Sequence, residues 1–331
     1  MSFISQDDRE HLYSEMLGTT DDFLESLKAD AEKAGQGIKT DIRLWQKDHD
    51  GNVEPYDLYI PLFGITSVVA RTGGGKTAFL TNLATRMSLA GGNGLYVTLE
   101  EPAFAITAKM LAAYSGYKHQ SHSMEAMSTS DAIKTVAGKL VSKDMEGFKR
   151  EVLTRCRPLD ANKLINNSKD VVKASLLYQP QYIQDIMDYV NACGGDPITY
   201  IIVDFGQLLE IDGIDNSNSF NRIKKVMMAL KNMAAAGIAV VIGMQMKRDV
   251  AAKWVWDFEC EDVKEGGDAE QASSLMIAVG RDNKQEDIDQ FDVIRILKNR
   301  YGPKRVGGAL TINFKGNFIP TLTEQPTEKA L

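Results

Sequence analysis

Cysteine is scarce. The chain of 331 residues has three, Cys156, Cys193 and Cys260, odd in number and far apart. They exclude a disulfide framework, offer no metal-ligand spacing and suit a reducing cytoplasm. The few histidines are scattered and add no ligand cluster. Long apolar runs are lacking too. No window approaches the roughly 20 apolar residues that span a bilayer. The opening MSFISQDDREHLY reads as neither signal peptide nor membrane anchor. Positive charge is in deficit, with 38 Lys and Arg against 45 Asp and Glu, for a net charge of −7. A wholesale basic coat for nucleic acid is therefore excluded. A small basic channel is not, because only charge within a Debye length of about 8–10 Å acts strongly. The length allows one large domain with an appendage, or two small ones.

What is present is an alternation of short apolar runs with amphipathic segments. Residues 65–70, 95–99, 198–203 and 238–244 read as strands, and 77–89 and 217–236 as helices. In the first helix Phe79, Leu80, Leu83, Ala84 and Met87 share a face, and Gly91–Gly92 ends it. Residues 103–195 read mostly as helix, with polar breaks near 119–130 and 158–169. Strands apolar throughout that alternate with helices predict a mainly parallel sheet covered on both faces, an α/β fold. Residues 275–279, 293–297 and 310–314 have no helix between them and predict an antiparallel extension, with a hairpin around Tyr301-Gly302-Pro303. Residues 1–55 are polar and predict a short helical arm and linker, with helices over 7–17 and 20–34. The body then runs from 56 to 322, and 323–331 form a tail.

One stretch carries chemistry. Residues 70–77 read ARTGGGKT, between an apolar strand and an amphipathic helix. Gly73, Gly74 and Gly75 let the backbone curl so that several N–H groups converge on one point, beside Ala70, Arg71 and Thr72. The helix N-terminus adds its dipole. This is a P-loop, the cradle for a nucleotide phosphate, with Ala70 where the pattern has Gly. Lys76 is placed to reach the β- and γ-phosphates of ATP, and Thr77 to bind Mg²⁺. Asp204, at the end of the strand ITYIIVD, is the second Mg²⁺ residue. Glu100 and Glu101 end the strand after the cradle, on the edge where such sheets bind ligands. One of them is suited to polarise water. Glu101, beside Pro102, suits a helix N-cap better. Gln245 ends the strand VVIGMQ on the same edge, placed to sense the γ-phosphate. Lys298 and Arg300 are two apart near the predicted hairpin, so on a strand they share a face.

These motifs, in this order, resemble the RecA-type motor domain of DnaB-type replicative helicases. The resemblance runs from about Phe63 to Pro320, with 119–175 differing in length and content. ARTGGGKT, TLEE, IIVDFGQLLE, GMQMKR, EDVKEGGDAEQASS and LKNRYGP carry it. It implies a RecA-like P-loop fold, with Glu100 as the catalytic glutamate and Gln245 as the sensor. Lys298 and Arg300 become a piston and finger reaching a neighbouring subunit's nucleotide. Lys247, Arg248, Lys264, Gly266 and Gly267 become contacts to DNA phosphates. Lys264 stands where the family has Arg, Gly266 and Asp268 where it has Ser, and Glu101 where it has an apolar residue.

The implied function is an ATP- and Mg²⁺-dependent DNA helicase. It would form homo-oligomeric, hexameric rings on single-stranded DNA during replication in a bacterial or phage-infected cell. A primase or helicase loader is the implied further partner. The family's globular N-terminal domain, which recruits primase, has no counterpart in residues 1–55, as in some phage and plasmid forms. Two other jobs fit the same fold. One is a RecA-like recombinase or loader ATPase. The other is a regulatory or defence ATPase that keeps the core without unwinding.

Overall fold

The computed structural model describes residues 24–25, 28, 37–47, 52–119, 126–161, 178–211, 213, 219–247, 250, 253, 255–264, 266–281, 291–302, 307–312 and 318–319. Its strands are β1 (Ile38–Lys47), β2 (Val53–Ile60), β3 (Gly64–Ala70), β4 (Gly94–Thr98), β5 (Cys156–Asp160), β6 (Tyr200–Asp204), β7 (Ala239–Gln245), β8 (Ser273–Arg281), β9 (Phe291–Asn299), β10 (Gly307–Ile312) and β11 (Phe318–Ile319). Its main helices are α1 (Lys76–Leu89), α2 (Ala103–Lys118), α3 (Thr129–Val136), α4 (Asp144–Phe148), α5 (Pro180–Ala192), α6 (Ser219–Ala235) and α7 (Gly266–Ala272).

The strands join one sheet in the order β2-β1-β10-β9-β8-β3-β7-β6-β4-β5, with β11 beside β10. From β8 to β5 all neighbours are parallel. From β8 outward to β2 all are antiparallel. The α/β fold with an antiparallel extension is therefore as the sequence predicts. Alternation assigns the two faces. Tyr200, Ile202, Ala239 and Val241 pack with α1 and α2. Ile201, Val203, Val240 and Ile242 pack with α5 and α6. A strand buried on both faces must be apolar at every position, which is why these segments read as unbroken runs.

Two strands depart from the sequence reading. Residues 38–47 and 53–60, divided there between a helical arm, a turn-rich linker and the body, form a hairpin at one end of the sheet. The boundary expected at residue 55 thus falls inside β2. Thr40, Ile42 and Leu44 point inward in alternation with outward Lys39, Asp41 and Arg43. The charged outer face is what makes the segment read as a polar leader. Of the expected arm helices only Leu24, Glu25 and Lys28 lie among the described residues, and these are helical. The other departure is β5, CRPLD, an edge strand within the region expected to be helical or broken. Pro158 is tolerated there because an edge strand has one side without ladder bonds. The expected tail and Pro303 lie outside the described residues.

The hairpin is fixed to the P-loop helix by a buried cation. A register shift between Lys39 and Ile42, with Asp41 at φ 52°, turns successive carbonyls toward α1. Arg86 Nη1 donates to the oxygens of Thr40 at 3.2 Å and Asp41 at 3.1 Å. Burial pulls the guanidinium down to about 10, partly opposed by Tyr117 and Asp41. Replacing Arg86 with Met leaves both carbonyls without their charged donor. The expected cost is about 1–3 kcal/mol. Amide exchange should accelerate first in 38–47 and 53–60, because the hairpin opens before the parallel core.

Candidate active site

β3 ends at Ala70, directly opposite Gln245 at the end of β7. Thr98, ending β4, is opposite Asp204, ending β6. The parallel register therefore brings four strand ends to one edge. Residues 70–78 with Glu100, Glu101, Lys109 and Gln245 line a single cleft there.

The glycines shape its floor. Gly73 has φ 73°, and Gly75, the N-cap of α1, has φ 86° and ψ 10°. Both lie in the left-handed region that favours glycine. Gly74 N–H donates to Arg71 O at 2.9 Å, and a Cβ on Gly74 would meet that same oxygen at 2.9 Å. No side chain caps α1, so its first amides and its dipole are left to the cleft.

Lys76 and Asp204 meet under this floor. Both are buried, at 8% and 2% exposure, and Lys76 Nζ lies 3.3 Å from Asp204 Oδ1. Oδ1 is at ion-pair range but has no well-directed hydrogen bond. Oδ2 accepts from the Tyr96 hydroxyl at 3.0 Å. The ammonium also sits 3.8 Å from the centroid of the Phe205 ring. Burial lowers the pKa of Lys76, and Asp204, then Glu100 and Glu101, only partly offset it. The buried ammonium is thus short of anionic partners, and a carboxylate oxygen beside it lacks a directed donor. Such a pair fits a phosphate with its divalent cation.

The acids differ. Glu100 is exposed. Glu101 forms an ion pair with Lys109 of α2 and is not the N-cap expected from its place beside Pro102. Pro102 itself is the N-cap residue, and Asp160 of β5 accepts from Ala103 N–H at 2.9 Å.

Lys247 and Lys264 are exposed and held side by side. Met246 and Val263 form an antiparallel bridge. Lys247 N–H donates to Asp262 O at 2.8 Å and Lys264 N–H to Gln245 O at 3.0 Å. Met246 N–H donates to Ala70 O at 3.0 Å. A continuous backbone path therefore joins the cradle to both lysines. Gly266 opens α7 and Gly267 follows within it, so this part of the expected loop is helical. Arg248 lies outside the described residues.

Lys298 and Arg300 are elsewhere. β9 runs antiparallel to β8, with Asn299 opposite Leu275, and Leu275 lies beside Thr66 near the start of β3. The pair therefore sits toward the opposite edge, about 13 Å back along the strands at about 3.3 Å per residue. Lys298 Nζ donates to Glu270 O, and Arg300 Nη2 donates to Gln271 O at 3.1 Å, so both are held on the carbonyl end of α7. Sequence reasoning missed Tyr96, Phe205, Lys109 and Asp160. Among these only Phe205, adjacent to Asp204, carries a local signal. Among the described residues no helix is long and apolar enough to cross a membrane.

Comparison with known proteins agrees with this geometry. Over 128 residues the chain is 25% identical to a probable replicative DNA helicase of Trieres chinensis, a match covering 37% of this chain and 28% of that protein. A DnaB-like replicative helicase, described with its interactions with primase, superposes with a TM-score of 0.59 at 20% identity, over 78% of this chain and 58% of that one. An ATPase domain solved by itself also gives 0.59, at 19% identity, covering 91% of this chain and 98% of that one. A KaiC-like protein, PH0186 of Pyrococcus horikoshii OT3, gives 0.51 at 15%, over 86% and 99%. At these identities the solved structures speak to the fold. Residues 63–320 match the model of the DnaB-like helicase C terminal domain, and the chain belongs to that family.

Proposed function

We propose that the chain is an ATP-hydrolysing motor that assembles into a hexameric ring, moves along single-stranded DNA and unwinds duplex. The observation that carries this reading is the division of charge. Lys76, Asp204 and Glu100 share one cleft, while Lys298 and Arg300 are held toward the opposite edge on α7. A site built in halves on opposite edges is completed when copies stack head to tail.

In this reading the cradle amides and Lys76 hold the β- and γ-phosphates. Glu100 orients the attacking water, and Arg300 of the next copy neutralises charge that builds on the transferred group. Thr77 and Asp204 would hold Mg²⁺, which supplies charge neutralisation at the phosphates. Gln245 responds to the γ-phosphate through its side chain. Its carbonyl is bonded to Lys264, so a shift there reaches both lysines. Lys247, Lys264, Arg248 and the amides of Gly266 and Gly267 would take DNA phosphates without reading sequence.

The test is strand displacement on a forked duplex with a 5′ tail, with ATP turnover measured with and without single strands. Displacement together with stimulated turnover is expected. Turnover that single strands do not stimulate, with no displacement, would instead fit a regulatory ATPase. Imaging with an ATP analogue separates closed rings from the helical filaments of a recombinase.

A further inference from the structure

The cleft holds one charged pair that the roles above leave unused. Glu101 lies in the loop after β4, and Lys109 in the second turn of α2. Both line the cleft with the cradle. The loop that carries Glu101 is tied down. Thr98 Oγ1 donates to Glu101 O at 2.6 Å, and Asp160 anchors the start of α2. The two side chains, Lys109 and Glu101, keep 26% and 31% exposure, so the pair is at the wall of the cleft and not in the core. Glu100, its neighbour, has no hydrogen bond or ion pair among the described residues. Two adjacent carboxylates thus differ in one respect. One is tethered and neutralised, and the other is free.

A triphosphate brings several negative charges into this space. One free carboxylate is needed to orient water. A second would add repulsion and compete for Lys76, which already feels both acids. We propose that Lys109 is a positioning residue for the nucleotide: it neutralises Glu101 and holds it off the phosphate path, leaving Glu100 as the one free acid on that wall. Lys109 has this role only if the cleft takes ATP, as proposed above. Neither residue has to touch the phosphates.

The experiment measures binding of a non-hydrolysable ATP analogue and steady-state turnover in the full chain. Lys109→Met is expected to weaken analogue binding and raise KM about tenfold, the effect of one uncompensated charge at partly screened range. The change in kcat should be smaller. Lys109→Arg should restore binding, because it keeps the charge. Glu101→Leu combined with Lys109→Met should also restore it, because the repelling group is gone. A merely structural pair would behave differently: the double variant would be no better than Lys109→Met, and the thermal midpoint would fall in step with affinity. Unchanged binding in Lys109→Met, or a loss that Glu101→Leu does not relieve, overturns the proposal while wild-type binding upholds the ATP site. A wild-type chain that binds no analogue overturns both. If Lys109→Met does not fold, Glu101→Leu alone decides. It should bind the analogue as tightly as wild type or more tightly, and weaker binding overturns the proposal.

Discussion

Replacing Lys76 with methionine is expected to lower ATP turnover by on the order of 10³ or more, the scale seen when a preorganised charge donor is removed from a transition state. The side chain is buried and its ammonium lies between Asp204 and the ring of Phe205, so no other cation can move into its place without repacking. Methionine keeps most of the volume and avoids the cavity that alanine would open. Two effects on stability oppose each other. Asp204 loses its ion-pair partner, and breaking a buried pair costs about 3–5 kcal/mol when nothing compensates. The folded protein also sheds a buried ammonium whose lowered pKa shows that desolvation outweighs its partners. Tyr96 continues to donate to Asp204. The net loss of stability should therefore fall below that range. Thermal melts separate binding from folding. With an ATP analogue and Mg²⁺ the wild-type midpoint should rise by mass action, and that of Lys76→Met should not. An equal rise in both would show that Lys76 does not hold the ligand.

The legible parts of this site were those contiguous in the chain. ARTGGGKT carries its geometry in eight consecutive residues, and its strand and helix flank it directly. Asp204 and Gln245 were legible because each ends a run of fully buried strand. What was hidden depends on register. Tyr96 reaches Asp204 only because Thr98 is paired with Asp204, which sets Tyr96 two residues back on the neighbouring strand. Lys109 reaches Glu101 only through the path of residues 99–102, which no periodicity describes. The β1–β2 hairpin was missed for a different reason. Its outer face is charged, its inner alternation is interrupted by the shift at Asp41, and it completes its burial against α1 rather than within itself. Local pattern reports burial on a segment's own surface, not the partner that supplies it.

Arg300→Ala should abolish turnover almost as completely as Glu100→Gln, yet the two inactive chains should recover activity when mixed. The geometry makes this outcome specific. Arg300 lies toward the edge of the sheet opposite the cleft, held by Gln271 O, so it cannot serve the nucleotide of its own chain. If it serves the next copy, a finger contributes about 10³–10⁵ in rate, and its loss should leave binding by the separate protomer intact. In a mixed ring, an Arg300→Ala chain supplies an intact Glu100 and a Glu100→Gln neighbour supplies an intact Arg300. At equal amounts roughly a quarter of head-to-tail interfaces pair the two good halves, which bounds the recovery if interfaces act independently. Recovery should vanish when the chains are diluted below assembly and should peak near equal ratio. A simple positioning role for Arg300 on α7 predicts no recovery at any ratio, because each protomer would then carry its own defect. Activity that reappears only in mixtures would mean that the catalytic unit is the interface, and that the bond from Arg300 to Gln271 in the single chain is the resting position of a group whose working partner lies on another copy.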